Sequence, residues 1–105
     1  MDIANIKQKC IDGELLYTLH VSLRMQQRQI SEQDIVTAIL NGEIIEEYAD
    51  DSPYPSCLIF GYTINDRVLH VVCGVAPEEL YLITAYYPDS VTWFDDLKTR
   101  RNKEA

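Results

Sequence analysis

With 105 residues, 47% of them hydrophobic and 25% charged, the chain has the size and composition of one globular domain that can bury its own core without metal or disulfide support. Seventeen acidic against nine basic residues leave a formal charge of −8, which disfavours indiscriminate attachment to nucleic acid because such binding depends on neutralising phosphates. No run of about 18 apolar residues is present to span a bilayer, and the opening residues Met1 to Lys7 lack the basic flank and apolar core of a secretory leader, so the cytoplasm is the expected location.

In chain order, Ile3, Ile6 and Cys10 stand at helical spacing and predict a short first helix that Gly13 interrupts. From Glu14 to Arg28, Leu16, Leu19 and Leu23 recur at i, i+3 and i+7, which predicts a helix with these leucines buried. Beside them His20, Arg24 and Arg28 recur at i, i+4 and i+8 and form a second stripe on the same helix. Ser31 can cap the next helix, with Asp34 in its first turn and Ile35, Ala38 and Ile39 as its buried face. Gly42 supplies its stop.

Beyond Gly42 the period changes. Glu43 to Tyr48 reads as a strand, and Asp50 to Pro55 as a turn-rich loop. Ser56 to Ile64, Arg67 to Val75 and Leu80 to Tyr87 follow as three further strands, the first two joined by a turn at Asn65-Asp66. Short connections predict an antiparallel meander. Asp89 or Ser90 then caps a last helix that buries Trp93, Phe94 and Leu97, closes on basic residues and frays at its end. The expected fold is α+β: two N-terminal helices packed on an antiparallel sheet of about four strands, then a short C-terminal helix. It forms a single domain over residues 1–105 with its core at about 14–101.

Three groups of residues could carry chemistry. His20, Arg24 and Arg28 would align two planar bidentate donors and an imidazole, suited to a phosphate or carboxylate; the structural alternative pairs the arginines with acids such as Asp34 or Glu46. His70 shares a strand face with Val68 and Val72, so it is either a hydrogen-bonded core residue or a residue facing an open cleft. Thr84, Tyr86 and Tyr87 end the last strand, among seven tyrosines that a pleated sheet uses chiefly for packing. Cys10, Cys57 and Cys73 show no metal-ligand spacing, and no phosphate-binding glycine loop, nucleophile elbow or H-E-x-x-H occurs, so neither cofactor nor metal is expected. The acidic stretch from Glu43 to Asp51 and the basic crowd of Lys98, Arg100, Arg101 and Lys103 suit a local anion site or a basic partner.

As an ordered set, these residues resemble an uncharacterised bacterial family. The pattern is H-x-x-x-R-M-x-x-R-x-I-S from His20 to Ser31, then Gly42-Glu-Ile-Ile-Glu46, Asp51-Ser-Pro-Tyr-Pro-Ser56, Gly61, Leu69-His-Val-Val72, Ile83-Thr-Ala-Tyr86, Pro88-Asp89 and Trp93. Members of that family are in turn similar to the RelE/ParE and BrnT toxins, small α+β proteins that pair with an antitoxin and, in the RelE and BrnT branches, cut RNA. The resemblance implies a toxin-like component of a toxin–antitoxin pair. It would be a metal-independent ribonuclease with a site at His20, Arg24 and Arg28, which His70 and Tyr86 join from the sheet, and with an antitoxin-like protein and RNA as partners. RelE-like ribonucleases are usually basic, whereas this chain is acidic. The competing expectation is a non-catalytic module whose acidic middle engages a basic protein.

Overall fold

Each of the three helices among the described residues begins at a side chain that satisfies a backbone amide the helix itself cannot. In the computed structural model, which describes residues 1–101, α1 spans Ile3–Ile11 and starts where the Asp2 carboxylate accepts from the Ala4 amide. It ends before Gly13, whose φ of +77° costs a residue without a Cβ little. A two-residue strand follows, β1 at Leu15–Leu16. Helix α2 spans Leu19–Gln27 and is capped by the Thr18 hydroxyl, which accepts from the Val21 amide at 3.1 Å. Helix α3 spans Glu32–Leu40 behind a reciprocal box: the Asp34 amide donates to Ser31 Oγ at 3.0 Å and the Ser31 amide to Asp34 Oδ2 at 3.2 Å.

The helix expected from Glu14 is thus shorter, and its leucine face does not bury. Leu15 and Leu16 pair with a distant strand, so the helix begins five residues late and takes its phase from Val21 and Met25. Leu16, Leu19 and Leu23 are 39%, 77% and 50% exposed, against 6% for Val21 and 5% for Met25.

Four longer strands follow: β2 (Glu43–Tyr48), β3 (Ser56–Tyr62), β4 (Val68–Val75) and β5 (Leu80–Tyr86). They form the expected antiparallel meander, and β1 adds itself parallel to β5, giving a mixed five-stranded sheet in the order β1-β5-β4-β3-β2. The α+β class stands; the four-stranded, wholly antiparallel sheet does not. Because β1 covers only Leu80 and Tyr81, the outer edge of β5 has no strand beside it from Leu82 onward among the described residues.

The two sheet faces differ. Ile59, Leu69, Val71, Cys73, Leu82 and Ala85 meet Ile6, Val21, Met25, Ile35 and Ile39 from the helices in one buried cluster. Helix α3 crosses β3 at Gly61, where an added Cβ would lie 2.0 Å from the Ala38 carbonyl oxygen. On the opposite face Phe60, His70 and Tyr86 stand in register, and the segment after Pro88 covers them with Trp93, which is 1% exposed.

That segment is not the expected helix. Asp89 accepts from the Val91 and Thr92 amides and Asp96 from those of Lys98 and Thr99, so local carboxylate turns take the amides a helix would have used. Leu97 adopts a φ of +57°, and Trp93 and Arg100 form an antiparallel bridge. Trp93 is buried as expected, whereas Phe94 is 46% exposed. The basic end lies back on the acidic strand: Lys98 reaches Glu43 at 3.0 Å and Arg100 reaches Glu46 at 2.8 Å. Lys103 and the expected fraying of the last residues lie outside the described residues. Among the described residues no helix is long and apolar enough to cross a membrane.

Candidate functional site

The stripe read from helical spacing becomes one wall of a cleft. Helix α2 lies along β5, and His20, Arg24 and Arg28 face Ile83, Thr84 and Ala85 across a cavity of about 150 Å³, with Val21 and Met25 beneath. Arg28, the residue that closes α2, reaches the uncovered edge of β5, where its Nη1 donates to the Ala85 carbonyl at 2.8 Å and to Thr84 Oγ1 at 3.1 Å. Arg24, one turn earlier, is exposed, as is His20. Both arginines sit near the C-terminal end of α2, where the helix dipole favours cations.

Their expected acidic partners are engaged elsewhere. Asp34 caps α3, and Glu46 holds Arg100 through two hydrogen bonds at 2.8 and 3.2 Å. Among the described residues neither Arg24 nor Arg28 forms an ion pair with a carboxylate. A cleft of this kind offers two guanidiniums, a hydroxyl and an imidazole to an incoming anion.

His70 and Tyr86 are placed together, on the other face of the sheet. His70 is fully buried; its Nε2 donates to the Leu97 carbonyl at 2.7 Å, so Nδ1 is the acceptor facing the Tyr86 hydroxyl at 3.2 Å. The Trp93 ring meets it edge-on, 4.6 Å between centroids. Burial pushes the His70 pKa below its ordinary 6.5, opposed by the bond to Leu97 and by Glu46. Burial likewise raises the Tyr86 hydroxyl. The five expected site residues therefore fall into two groups: His20, Arg24 and Arg28 in the cleft, and His70 with Tyr86 in a satisfied core network that does not line it.

A second, larger cavity of about 660 Å³ adjoins the cleft, sharing His20, Val21 and Ile83 with it. Thr18, the loop residues Asp51 to Tyr54 and the strand residues Gly74, Tyr81 and Leu82 complete its lining. The rings of Tyr54 and Tyr81 stack with centroids 5.8 Å apart and planes 6° from parallel. Thr84 was visible in the sequence as part of a polar strand end. The Ala85 carbonyl and the Tyr54–Tyr81 pair left no local signal, because both depend on which strand neighbours which.

The three cysteines are free and buried, with Cys57 and Cys73 opposite one another on β3 and β4. Among the described residues no group of three or more His, Cys, Asp or Glu side chains could hold a metal ion.

Fold and site together define a small α+β domain whose second helix holds a cationic cleft at an open sheet edge. The chain belongs to the family described as a domain of unknown function, DUF4258, whose pattern matches residues 17–87. That span runs from the cap of α2 to the end of β5 and contains every residue of the cleft. No curated protein and no solved structure matches the chain.

Proposed function

We propose that this protein is the toxin-like member of a bacterial toxin–antitoxin pair, a distant relative of the RelE and BrnT toxins, and that it cleaves RNA in the cytoplasm without a metal ion. The observation that carries the reading is the cleft itself: His20, Arg24 and Arg28 converge on one cavity, and no carboxylate neutralises either arginine among the described residues. A phosphodiester entering it would meet Arg24 and Arg28, whose charge stabilises the phosphorane that forms at phosphorus. His20, as general base, would take the proton of a ribose 2′-hydroxyl. That oxygen would attack the phosphorus, and the 5′-oxygen would leave with a proton from solvent. His70, held neutral and enclosed, takes no part.

The net charge of −8 favours contact at this one cleft over diffuse attraction. The alternative, an acidic middle that recruits a basic protein, is weakened by the chain's own basic end, since Lys98 and Arg100 already occupy Glu43 and Glu46. Leu19 and Leu23, exposed one turn apart on α2, offer the antitoxin-like partner an apolar contact beside the site.

Expression in a bacterial host tests the reading. Wild type should arrest growth, the adjacent small gene should relieve the arrest, and His20→Ala and Arg24→Ala should abolish it while their circular dichroism stays native. A purified wild type that neither arrests growth nor shortens single-stranded RNA would refute it.

A further inference from the structure

The cleft beside α2 does not end at His20. His20, Val21 and Ile83 border both the 150 Å³ cleft and the 660 Å³ cavity, so the two lie side by side as a trough in two parts, cationic at the Arg24–Arg28 end and largely apolar and aromatic at the other. The second cavity is several times the size a phosphate needs. Its lining includes Pro53, Leu82, Ile83 and the paired rings of Tyr54 and Tyr81, with Asp51 the sole charged side chain apart from the bordering His20. Asp51 is held in place by the Ser56 hydroxyl, which donates to its Oδ2.

A trough with guanidiniums at one end and stacked phenols at the other matches the two halves of a nucleotide. Phosphate is drawn to planar donors, and a base is drawn to an aromatic face because every base has a π-surface. A paired base is already stacked within its helix and cannot be offered to such a cavity without being extruded. We propose that the Tyr54–Tyr81 cavity is a nucleobase subsite and that the substrate is single-stranded RNA, with one base held against the tyrosines while its phosphate lies between His20 and Arg24. Ile83, at the bulge where β5 slips register against Val72 and Cys73, borders both subsites. This inference rests on the phosphate reading of the cleft and adds the recognition of the base.

Two strands of equal length separate the two ideas: a single-stranded RNA decamer of mixed sequence, and the same backbone carrying abasic residues. Binding of each to His20→Ala protein, in which cleavage is blocked, is followed by fluorescence anisotropy. The base-bearing strand should bind about tenfold or more tightly than the abasic one, the contribution of one stacked base. Tyr81→Ala and Tyr54→Ala in that background should remove the difference while leaving abasic affinity unchanged; Arg24→Ala should weaken both strands. A duplex of the decamer should bind no better than the abasic strand. Equal affinity for the two strands, with sensitivity to Arg24→Ala, would overturn the base subsite and keep the phosphate cleft. Binding of neither strand would overturn both. Tyr81→Phe keeps the ring and should behave as the parent, so loss of binding in that variant would show that the hydroxyl, not stacking, is responsible.

Discussion

Arg28 donates to the Ala85 carbonyl at 2.8 Å and so takes up, from the end of a helix, an acceptor on the stretch of β5 that β1 leaves uncovered from Leu82 onward among the described residues. The bond divides the labour of the two arginines. Arg28 is anchored at two points on β5 and ties α2 to the sheet, whereas Arg24 is exposed and lines the cleft with no such anchor among the described residues.

The two alanine variants should therefore differ. Arg24→Ala should change stability by no more than about 0.5 kcal/mol, the usual effect of an exposed substitution. Its loss from a charge-developing transition state should lower RNA cleavage about a hundredfold, roughly 3 kcal/mol. Arg28→Ala should lower activity as well but also cost about 1–2 kcal/mol, since it removes two charge-assisted hydrogen bonds and leaves the Ala85 carbonyl to water. Denaturant midpoints and cleavage rates on the same preparations check both. Equal destabilisation by the two variants would contradict this division.

His70 gives a prediction in pH. Its folded pKa lies below the ordinary 6.5 because burial disfavours the imidazolium. Between the folded value and 6.5 the unfolded chain therefore binds more protons than the native one. The resulting stability is present in full above about 6.5 and is lost as pH falls through the folded value. Melting temperature should accordingly decline between pH 7 and pH 5 in wild type. His70→Gln, which lacks the titrating group, should show a shallower decline over the same interval from a lower starting point. Parallel curves would place the pH sensitivity elsewhere.

Gly61 tests the packing that sets the helix layer. A Cβ there would lie 2.0 Å from the Ala38 carbonyl oxygen and 2.7 Å from its carbon, both backbone atoms of α3 that cannot turn aside. Gly61→Ala should cost more than the about 1–3 kcal/mol of ordinary overpacking, because relief requires moving the helix. Gly74→Ala, whose nearest contacts are side chains at 3.8 and 3.9 Å, is the control and should be nearly neutral. Denaturation of the two variants side by side would settle the point, and similar midpoints would mean that α3 shifts freely.

How far these features were legible in the sequence depends on whether their causes are local. The start of α3 was, since Ser31 and Asp34 satisfy each other within one turn. So were β3 and β4, joined across Asn65 and Asp66. The basic stripe was legible because helical spacing alone aligns His20, Arg24 and Arg28. Its opposite wall was not, because Thr84 and Ala85 meet it only through tertiary packing. Leu16, Leu19 and Leu23 carried a helical period yet lie exposed; the equally periodic Val21 and Met25 were the buried pair, and nothing local ranks one stripe over the other. Strand β1 exists only because Leu80 and Tyr81, more than sixty residues later, offer it an edge. After Pro88, apolar spacing pointed to a helix, but the carboxylates of Asp89 and Asp96 captured the amides first.

The terminal segment supplies the last prediction. Trp93 is buried against His70, while Arg100 lies over its ring at 4.6 Å and holds Glu46 of β2 in a two-point ion pair. Two contributions thus fasten residues after Pro88 to the outer face of the sheet: burial of one large aromatic and a partly buried ion pair. Trp93→Ala should cost about 3–5 kcal/mol, the range for truncating a buried aromatic. Arg100→Ala keeps the ring and removes the pair, and should cost about 1–2 kcal/mol, more than an exposed salt bridge because the Glu46 side chain is only 13% exposed. As Trp93 is the sole tryptophan, its fluorescence reports this segment alone, while far-ultraviolet circular dichroism reports the helices and sheet. In wild type both signals should change at one denaturant concentration. In Arg100→Ala the fluorescence should shift to the red at a lower concentration than the dichroism, marking release of the segment from an intact sheet. Coincident transitions in the variant, at the wild-type midpoint, would show that the tryptophan holds the segment without help from Arg100.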